Sequence, residues 1–166
     1  MIRSGFLLIL AFALLQGCGS EPLRPPVAEP APPTLVNLKI ISAADVNADA
    51  SGAGAPVMLR IYQLREASGF NSADFFSLFD KDQATLSADM ARKQELLIKP
   101  NDQQTLSLQL EPDIKALGVF AAFRQLDTAQ WRATLPVTAH QTHAVEIKLQ
   151  ANQVLVEPVK PVKKEP

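Results

Sequence analysis

The chain has 166 residues, and its 16 Lys and Arg residues nearly balance its 17 Asp and Glu residues, for a formal net charge of −1. This balance provides no strongly basic surface of the kind that binds nucleic acid. With 47% hydrophobic residues, the chain is long enough for one domain with a proper core.

The N-terminal residues have the pattern of a secretory signal peptide. Arg3 precedes an apolar run over residues 6–15, which is too short to span a bilayer. Residues 15–18 then read LQGC, and this tetrapeptide resembles the lipobox of bacterial lipoproteins. We therefore predict a signal peptide over residues 1–17.

Cys18 is the only cysteine of the chain, so it cannot form a disulfide within it. After cleavage, its thiol and the new amino group can carry acyl chains, and several chains together anchor a protein stably in a membrane. We predict a covalent lipid on Cys18 and no other cofactor. Gly19 follows the cysteine, and by resemblance to sorting in enterobacteria this favours the outer membrane.

Proline-rich segments flank the central part of the chain. Residues 18–34 contain six prolines, which predicts an extended tether with a reach of roughly 50 Å. Residues 158–166 have a similar composition and predict a disordered tail. The folded domain is therefore expected to span residues 35–157.

Short apolar segments separated by turn signals fill that domain. Several alternate between apolar and polar residues with the period of a half-buried strand, and we expect a mainly β, two-sheet sandwich. The predicted strands cover residues 35–41, 57–64, 92–98, 105–110, 117–123, 131–137, 145–149 and 154–156.

One segment, GFNSADFFSLFDK at residues 69–81, predicts an inserted helix. Asn71 can cap it, with Asp74 three residues on, and Phe70 and Phe75 can form a hydrophobic staple. We expect its apolar face to pack on the edge of the sandwich. The alternative is an exposed aromatic surface for a partner.

Residues that could support catalysis or bind a metal are not clustered in the sequence. It contains no G-x-S-x-G, P-loop or H-E-x-x-H motif. His140 and His143 lack an accompanying carboxylate or cysteine cluster, so we predict strand-end histidines and no metal site. Asp82 is expected to be solvated at the helix end, and Arg132 to be a surface arginine beside a core tryptophan. The residues alone favour a tethered binding domain without enzymatic activity or a small-molecule substrate.

Four segments together resemble the type VI secretion outer-membrane lipoprotein family, TssJ. They are PVMLRIYQL (56–64), FNSADFFSLF (70–79), LLIKPND (96–102) and LGVFAAFRQLDTAQWR (117–132). Their order and spacing agree with the family, and the resemblance covers residues 35–156.

The resemblance implies a transthyretin-like β-sandwich with a small helical addition and no catalytic activity. It also implies an acylated protein in the outer membrane that faces the periplasm. There, family members bind the periplasmic C-terminal domain of TssM, which forms a trans-envelope complex with TssL.

In this family, a loop between the first two strands contributes to TssM binding. The matching stretch is residues 44–55, whose small, polar composition predicts a loop that is mobile before binding. The predicted partner-binding residues are Asp45, Val46, Asn47, Ala48, Asp49, Ala50, Ser51 and Gly52.

Two other classes remain open on the sequence. One is a lipoprotein of another envelope assembly, either pilotin-like or peptidoglycan-associated, which would share the lipobox and tether. The other is an enzyme on a β-sandwich, which would need polar residues grouped at a pocket.

Overall fold

The computed structural model describes residues 29–49 and 51–159, so the predicted signal peptide, Cys18 and Ala50 lie outside the described residues. The described part forms eight strands, two α-helices and two short 3₁₀ turns. The strands are β1 (Thr34–Ser42), β2 (Val57–Leu64), β3 (Met90–Ile98), β4 (Gln103–Leu110), β5 (Ala116–Ala121), β6 (Arg132–Pro136), β7 (Thr142–Gln150) and β8 (Gln153–Pro158). The helices are α1 (Ser68–Ser72) and α2 (Phe75–Leu86), and the 3₁₀ turns are Ser87–Asp89 and Leu126–Thr128.

The strands form two four-stranded sheets, with the orders β4-β1-β7-β8 and β3-β2-β5-β6. β1 is central in its sheet, where it pairs antiparallel with β4 and parallel with β7. A single bridge between Gln130 and Gln153 joins the two sheets along one side. The predicted two-sheet sandwich is confirmed, and all eight predicted strands are present.

The two faces of β2 explain why its sequence, VMLRIYQL, does not alternate clearly. Val57, Leu59 and Ile61 point into the sandwich and belong to its main core. Tyr62 and Leu64 point to the other side, where they form a second apolar cluster with the helical insert. Because a strand that is buried on both faces carries apolar residues on both, its sequence does not alternate between apolar and polar residues.

The helical insert differs from the prediction in its capping. It consists of two helices, and α2 begins after Asp74, whose Oδ1 accepts a hydrogen bond from the Ser77 N–H at 2.9 Å. Asn71 lies within α1 instead, and the Thr134 hydroxyl donates to its side-chain oxygen at 2.6 Å. The predicted Asn71 cap is therefore wrong: the extended backbone at Ala73 separates the helices and leaves Asp74 as the cap.

The insert covers the outer face of the second sheet, not the edge of the sandwich. Phe70, Leu78 and Leu86 are fully or almost fully buried against Tyr62 and Phe120. Burying one such side chain contributes about 1.5–3 kcal/mol. Packing on the broad outer face therefore stabilises the insert more than packing on a sheet edge, which would bury fewer side chains. Part of its aromatic surface stays accessible, since Phe76 is 62% exposed.

Two arginines from the sheet bind the backbone of the insert. Arg60 donates from one guanidinium nitrogen to the carbonyls of Leu78 and Phe79, at 3.0 and 2.8 Å. Arg132 donates to the carbonyl of Phe70 at 3.0 Å and lies 4.6 Å from the centre of the Trp131 ring. The helix α2 is interrupted at Lys81, whose φ of −136° and ψ of 30° are not helical. The carbonyls of Leu78 and Phe79 therefore lie just before a break, and that of Phe70 lies near the end of α1, where carbonyls lack partners within the helix. By binding these carbonyls, the two arginines stabilise the insert. Arg132 is therefore partly buried and bonded, which corrects its prediction as a surface residue.

Asp82 also differs from its prediction, because it is 8% exposed and not solvated. Its carboxylate accepts hydrogen bonds from the Tyr62 hydroxyl at 3.0 Å and from Lys93 Nζ at 2.6 Å, and Arg60 lies 3.5 Å away. Burial by itself raises the pKa of Asp82, but the contacts with Lys93, Tyr62 and Arg60 outweigh it and hold the pKa below 3.8. Asp82 therefore links α2 to β2 and β3.

Replacing Asp82 by asparagine is expected to lower the free energy of unfolding by about 2 kcal/mol, because charged hydrogen bonds are lost in a buried place. Since the folded-state pKa lies below the unfolded value, the stabilisation by Asp82 is complete above pH 3.8 and declines as pH falls through the folded pKa. Urea unfolding at pH 7 and at pH 3 measures both effects. The matched control is Asp80→Asn on the same helix, which is exposed and should change stability by less than about 0.5 kcal/mol. Equal losses in the two variants would contradict this role for Asp82.

Candidate partner-binding loop

The loop between β1 and β2 lies at one end of the sandwich. β1 runs from Thr34 at the opposite end to Ser42 beside the loop, and its nine residues span about 30 Å. Ser42 is held by the turn between β3 and β4: its N–H donates to the Asp102 carbonyl at 3.0 Å, and its hydroxyl accepts the Asp102 N–H at 2.8 Å. The loop is therefore fixed at the far end of β1 from the predicted tether.

Asn47 fixes the base of the loop. It is 5% exposed and has a left-handed backbone with φ of 51°, a conformation that asparagine tolerates better than most residues. Its side chain donates to the Pro56 carbonyl and accepts the Arg124 N–H, both at 2.8 Å. Its own N–H donates to the Ala151 carbonyl. One buried side chain and its backbone thus connect the loop to three other segments.

Asp49 organises the tip of the loop. Its Oδ1 accepts hydrogen bonds from the N–H and hydroxyl of Ser51 at 2.8 and 2.6 Å, and from the Ala53 N–H at 3.2 Å. These bonds, above all those from Ser51, hold the pKa of Asp49 below its usual value. Gly52 has φ of 81°, which other residues rarely adopt. Local hydrogen bonds and a left-handed glycine therefore shape the described part of the loop tip.

The predicted contact residues fall into two groups. Asp45, Asp49, Ser51 and Gly52 are exposed and Ala48 is half-buried, so these five can reach a partner. Ala50 lies outside the described residues, and Val46 and Asn47 are buried beneath the loop. Their letters alone do not reveal this, because a small polar loop predicts exposure for all of its residues.

The loop between β5 and β6 was not predicted as part of this end. Arg124 and Gln125 are exposed there, and Gln125 donates to the Ala48 carbonyl at 3.4 Å. The signal that could have located them is register: in an antiparallel pair, the end of β5 must lie beside the start of β2. The candidate surface therefore includes residues from two loops.

The two histidines lie at the opposite end of the sandwich, where β7 begins. His140 and His143 bind backbone carbonyls of Pro32 and Thr138, respectively. In residues 29–49 and 51–159, no three His, Cys, Asp or Glu side chains are placed to hold a metal ion. Over the same residues, no helix has the length and apolar character needed to cross a membrane. The loop remains the best-defined candidate.

Comparison with protein families identifies the group to which this fold belongs. The model described as "Type VI secretion lipoprotein, VasD, EvfM, TssJ" matches residues 34–152, which is most of the chain and nearly all of the sandwich. The chain belongs to this TssJ family. The resemblance of the four sequence segments is thereby confirmed, and so is the assignment to type VI secretion. A comparison with curated protein sequences found no significant match.

Solved structures agree with the TssJ assignment. The T6SS lipoprotein TssJ1 from Pseudomonas aeruginosa is 34% identical with a TM-score of 0.76, and the match covers 78% of this chain and 98% of that one. Lip from Serratia marcescens, described as a membrane-bound component of the type VI secretion system, is 26% identical with a TM-score of 0.71, over 79% and 99% of the two chains. A structure described as the TssM C-terminal domain from EAEC contains a chain that is 25% identical with a TM-score of 0.61, over 75% and 98%.

Proposed function

We propose that this TssJ-family lipoprotein is anchored in the outer membrane through Cys18 and binds the periplasmic C-terminal domain of TssM through the β1–β2 loop. By doing so it tethers the TssM–TssL complex to the outer membrane. Its role is binding and anchoring, without catalysis.

The anchor rests on the sequence of the N-terminal part. The charged start, the apolar run and the LQGC tetrapeptide match a lipoprotein leader, and membership of a lipoprotein family supports the same processing. Gly19, in the position after the cysteine, favours transfer to the outer membrane. The domain boundaries follow: signal peptide 1–17, lipidated tether 18–34, sandwich 35–157 and tail 158–166. The strands themselves begin at Thr34 and end at Pro158.

The position of the loop is the observation that carries the binding proposal. A tether that enters the domain at Thr34 leaves the β1–β2 loop about 30 Å away, at the other end of β1. The loop thus lies at the end of the domain that is far from the proposed anchor. A partner that spans the periplasm can reach it there. Its exposed, hydrogen-bonded tip can bind without a large ordering cost.

The comparison structures support TssM as the partner. A chain with this fold occurs in the structure described as the TssM C-terminal domain, and 98% of that chain is covered by 75% of this one. The matched chain is therefore about as long as the sandwich domain. Another similar chain, 26% identical, belongs to a structure described as a type VI membrane complex.

Direct binding tests the proposal. Residues 29–159 are titrated by calorimetry with the periplasmic C-terminal domain of the TssM encoded by the same genome. We expect saturable binding. In a second experiment, the domain is immobilised and captures labelled TssM domain, and a tenfold excess of unlabelled TssM domain should prevent this capture. A well-folded domain that shows no heat and no capture would contradict TssM binding and leave only the family assignment.

A further inference from the structure

The segment that enters β1 is stiff because of its sequence. Pro32 and Pro33 fix their own φ angles, and each restricts the residue before it to extended backbone. The two prolines line a shallow cavity that Leu110, Pro112 and His140 also line. The end of the tether therefore lies against the sandwich instead of leaving it freely.

His140, in the turn between β6 and β7, holds this segment at two points. Its Nδ1 donates to the Pro32 carbonyl at 2.8 Å, and its backbone N–H donates to the Thr34 hydroxyl oxygen at 2.8 Å. Thr34 is 3% exposed, so its hydroxyl needs a partner within the protein. The next residue of the turn, Gln141, accepts the Leu35 N–H at 3.0 Å.

The backbone of His140 is in the left-handed region, with φ of 62°. That conformation is unfavourable for a residue with a side chain and persists where surrounding contacts favour it. Here the conformation allows both the ring and the N–H of one residue to face the same segment. The contacts with Pro32 and Thr34 are formed in this conformation.

We propose that His140 and Thr34 form a clamp that fixes residues 32–34 to the sandwich and so prevents the chain from bending at the entry to β1. Residues 32–34 and β1 then behave as one rigid segment. His140 is a positioning residue: it acts by holding the Pro32 carbonyl and the Thr34 hydroxyl.

The consequence for orientation rests on the proposed function. If Cys18 carries the lipid, the clamp excludes bending of the anchored domain at residues 32–34. Without the clamp, the domain could also bend at these residues, so that fewer encounters between the β1–β2 loop and a partner would be productive.

A distance measurement between two spin labels tests the clamp without depending on lipidation. The mature chain from residue 18 carries Cys18→Ser, so that the only thiols are those introduced by Ala31→Cys, just before Pro32, and by Thr105→Cys at an exposed position of β4. In the otherwise native chain, we expect one narrow distance. His140→Gly removes the ring, and Thr34→Val removes the hydroxyl with little change in shape. Each is expected to replace the narrow distance by a broad distribution.

Asn101→Gly is the matched control, because it removes a left-handed side chain, with φ of 56°, at the opposite end of the sandwich. It should leave the narrow distance intact. Circular dichroism and melting temperature identify any variant that fails to fold. If either His140→Gly or Thr34→Val fails to fold, the distance in the other variant tests the clamp. A distance that is already broad in the native chain, or one that stays narrow in both His140→Gly and Thr34→Val, overturns the clamp. Failure of Cys18 to accept lipid contradicts the anchor but leaves this result unchanged.

Discussion

Replacing Cys18 with serine is expected to abolish acylation, and with it the attachment to the outer membrane that depends on acyl chains, while the sandwich stays folded. A hydroxyl cannot form the thioether that would carry the diacylglycerol. Each methylene buried in a bilayer contributes about 0.8 kcal/mol, so loss of all acyl chains removes the anchoring energy that they supply. Membrane fractionation, followed by labelling with a radioactive fatty acid, measures the effect. We expect the label to be absent from the variant.

The fold should not change, because the sandwich begins at Thr34, well after the modified residue. Circular dichroism of the purified variant checks this separation of anchor and domain. The control is Ser20→Ala, which lies beside the lipobox without belonging to it and should leave both labelling and fractionation intact. A variant at Cys18 that still accepts fatty acid, or that loses its β-sheet spectrum, would show that the assigned role of Cys18 is wrong.

The strands could be predicted because their signal is local. Residues 105–110 and 145–149 alternate regularly, since one face of each strand is buried and the other meets water. The stretch ALGVFA is continuously apolar and forms β5 (Ala116–Ala121), which is buried on both faces. Each pattern depends only on the strand itself and on the existence of a core.

The insert was harder to predict, because its details depend on residues that are distant in the chain. Asn71 and Asp74 can both cap a helix, and the choice is decided by where Phe70 enters the core of the second cluster. Asp82 looks solvated in the sequence FDKDQ, yet Tyr62 and Lys93 bind it from two strands. Nothing within a short window of sequence contains this information.

The candidate partner-binding loop also depends partly on residues that are distant in the chain. The family resemblance located the loop, but the separation of its residues into contact and support depends on packing. Asn47 is buried because Pro56 and Arg124 offer partners to its side chain, and these are 9 and 77 residues away in the chain. Asp49 differs, since its partners Ser51 and Ala53 are local, and an Asp followed by Ser and Gly is a recognisable turn signal. The turn at the loop tip therefore depends on local sequence, whereas the burial of its base depends on distant residues.

Deleting residues 49–54 is expected to weaken TssM binding about 30-fold or more, equivalent to about 2 kcal/mol, with little loss of stability. The deletion removes the exposed tip but retains Asn47 and its contacts with other segments. In the native loop, the Ala55 N–H donates to the Val46 carbonyl at 2.9 Å. After the deletion, Ala55 becomes the third residue after Val46, so the same bond can close a β-turn. Calorimetric titration with the TssM domain measures the affinity, and a few central residues normally supply most of such binding energy.

Two point variants distinguish the possible causes of weaker binding. Asp45→Ala tests a direct contact, and Asp49→Ala tests the hydrogen bonds that organise the tip. Asp45 is exposed, so its removal should weaken binding without changing the melting temperature. Loss of Asp49 also removes the acceptor that holds Ser51 and Ala53, so binding should fall because the tip must be ordered during association.

The control Glu66→Ala removes an exposed acid near the start of the helical insert, at the opposite end of β2, and should bind like the native chain. If the tip deletion and Glu66→Ala both bind normally, the interface lies on another surface of the sandwich. The 62% exposed Phe76 of the insert would then be the next residue to replace.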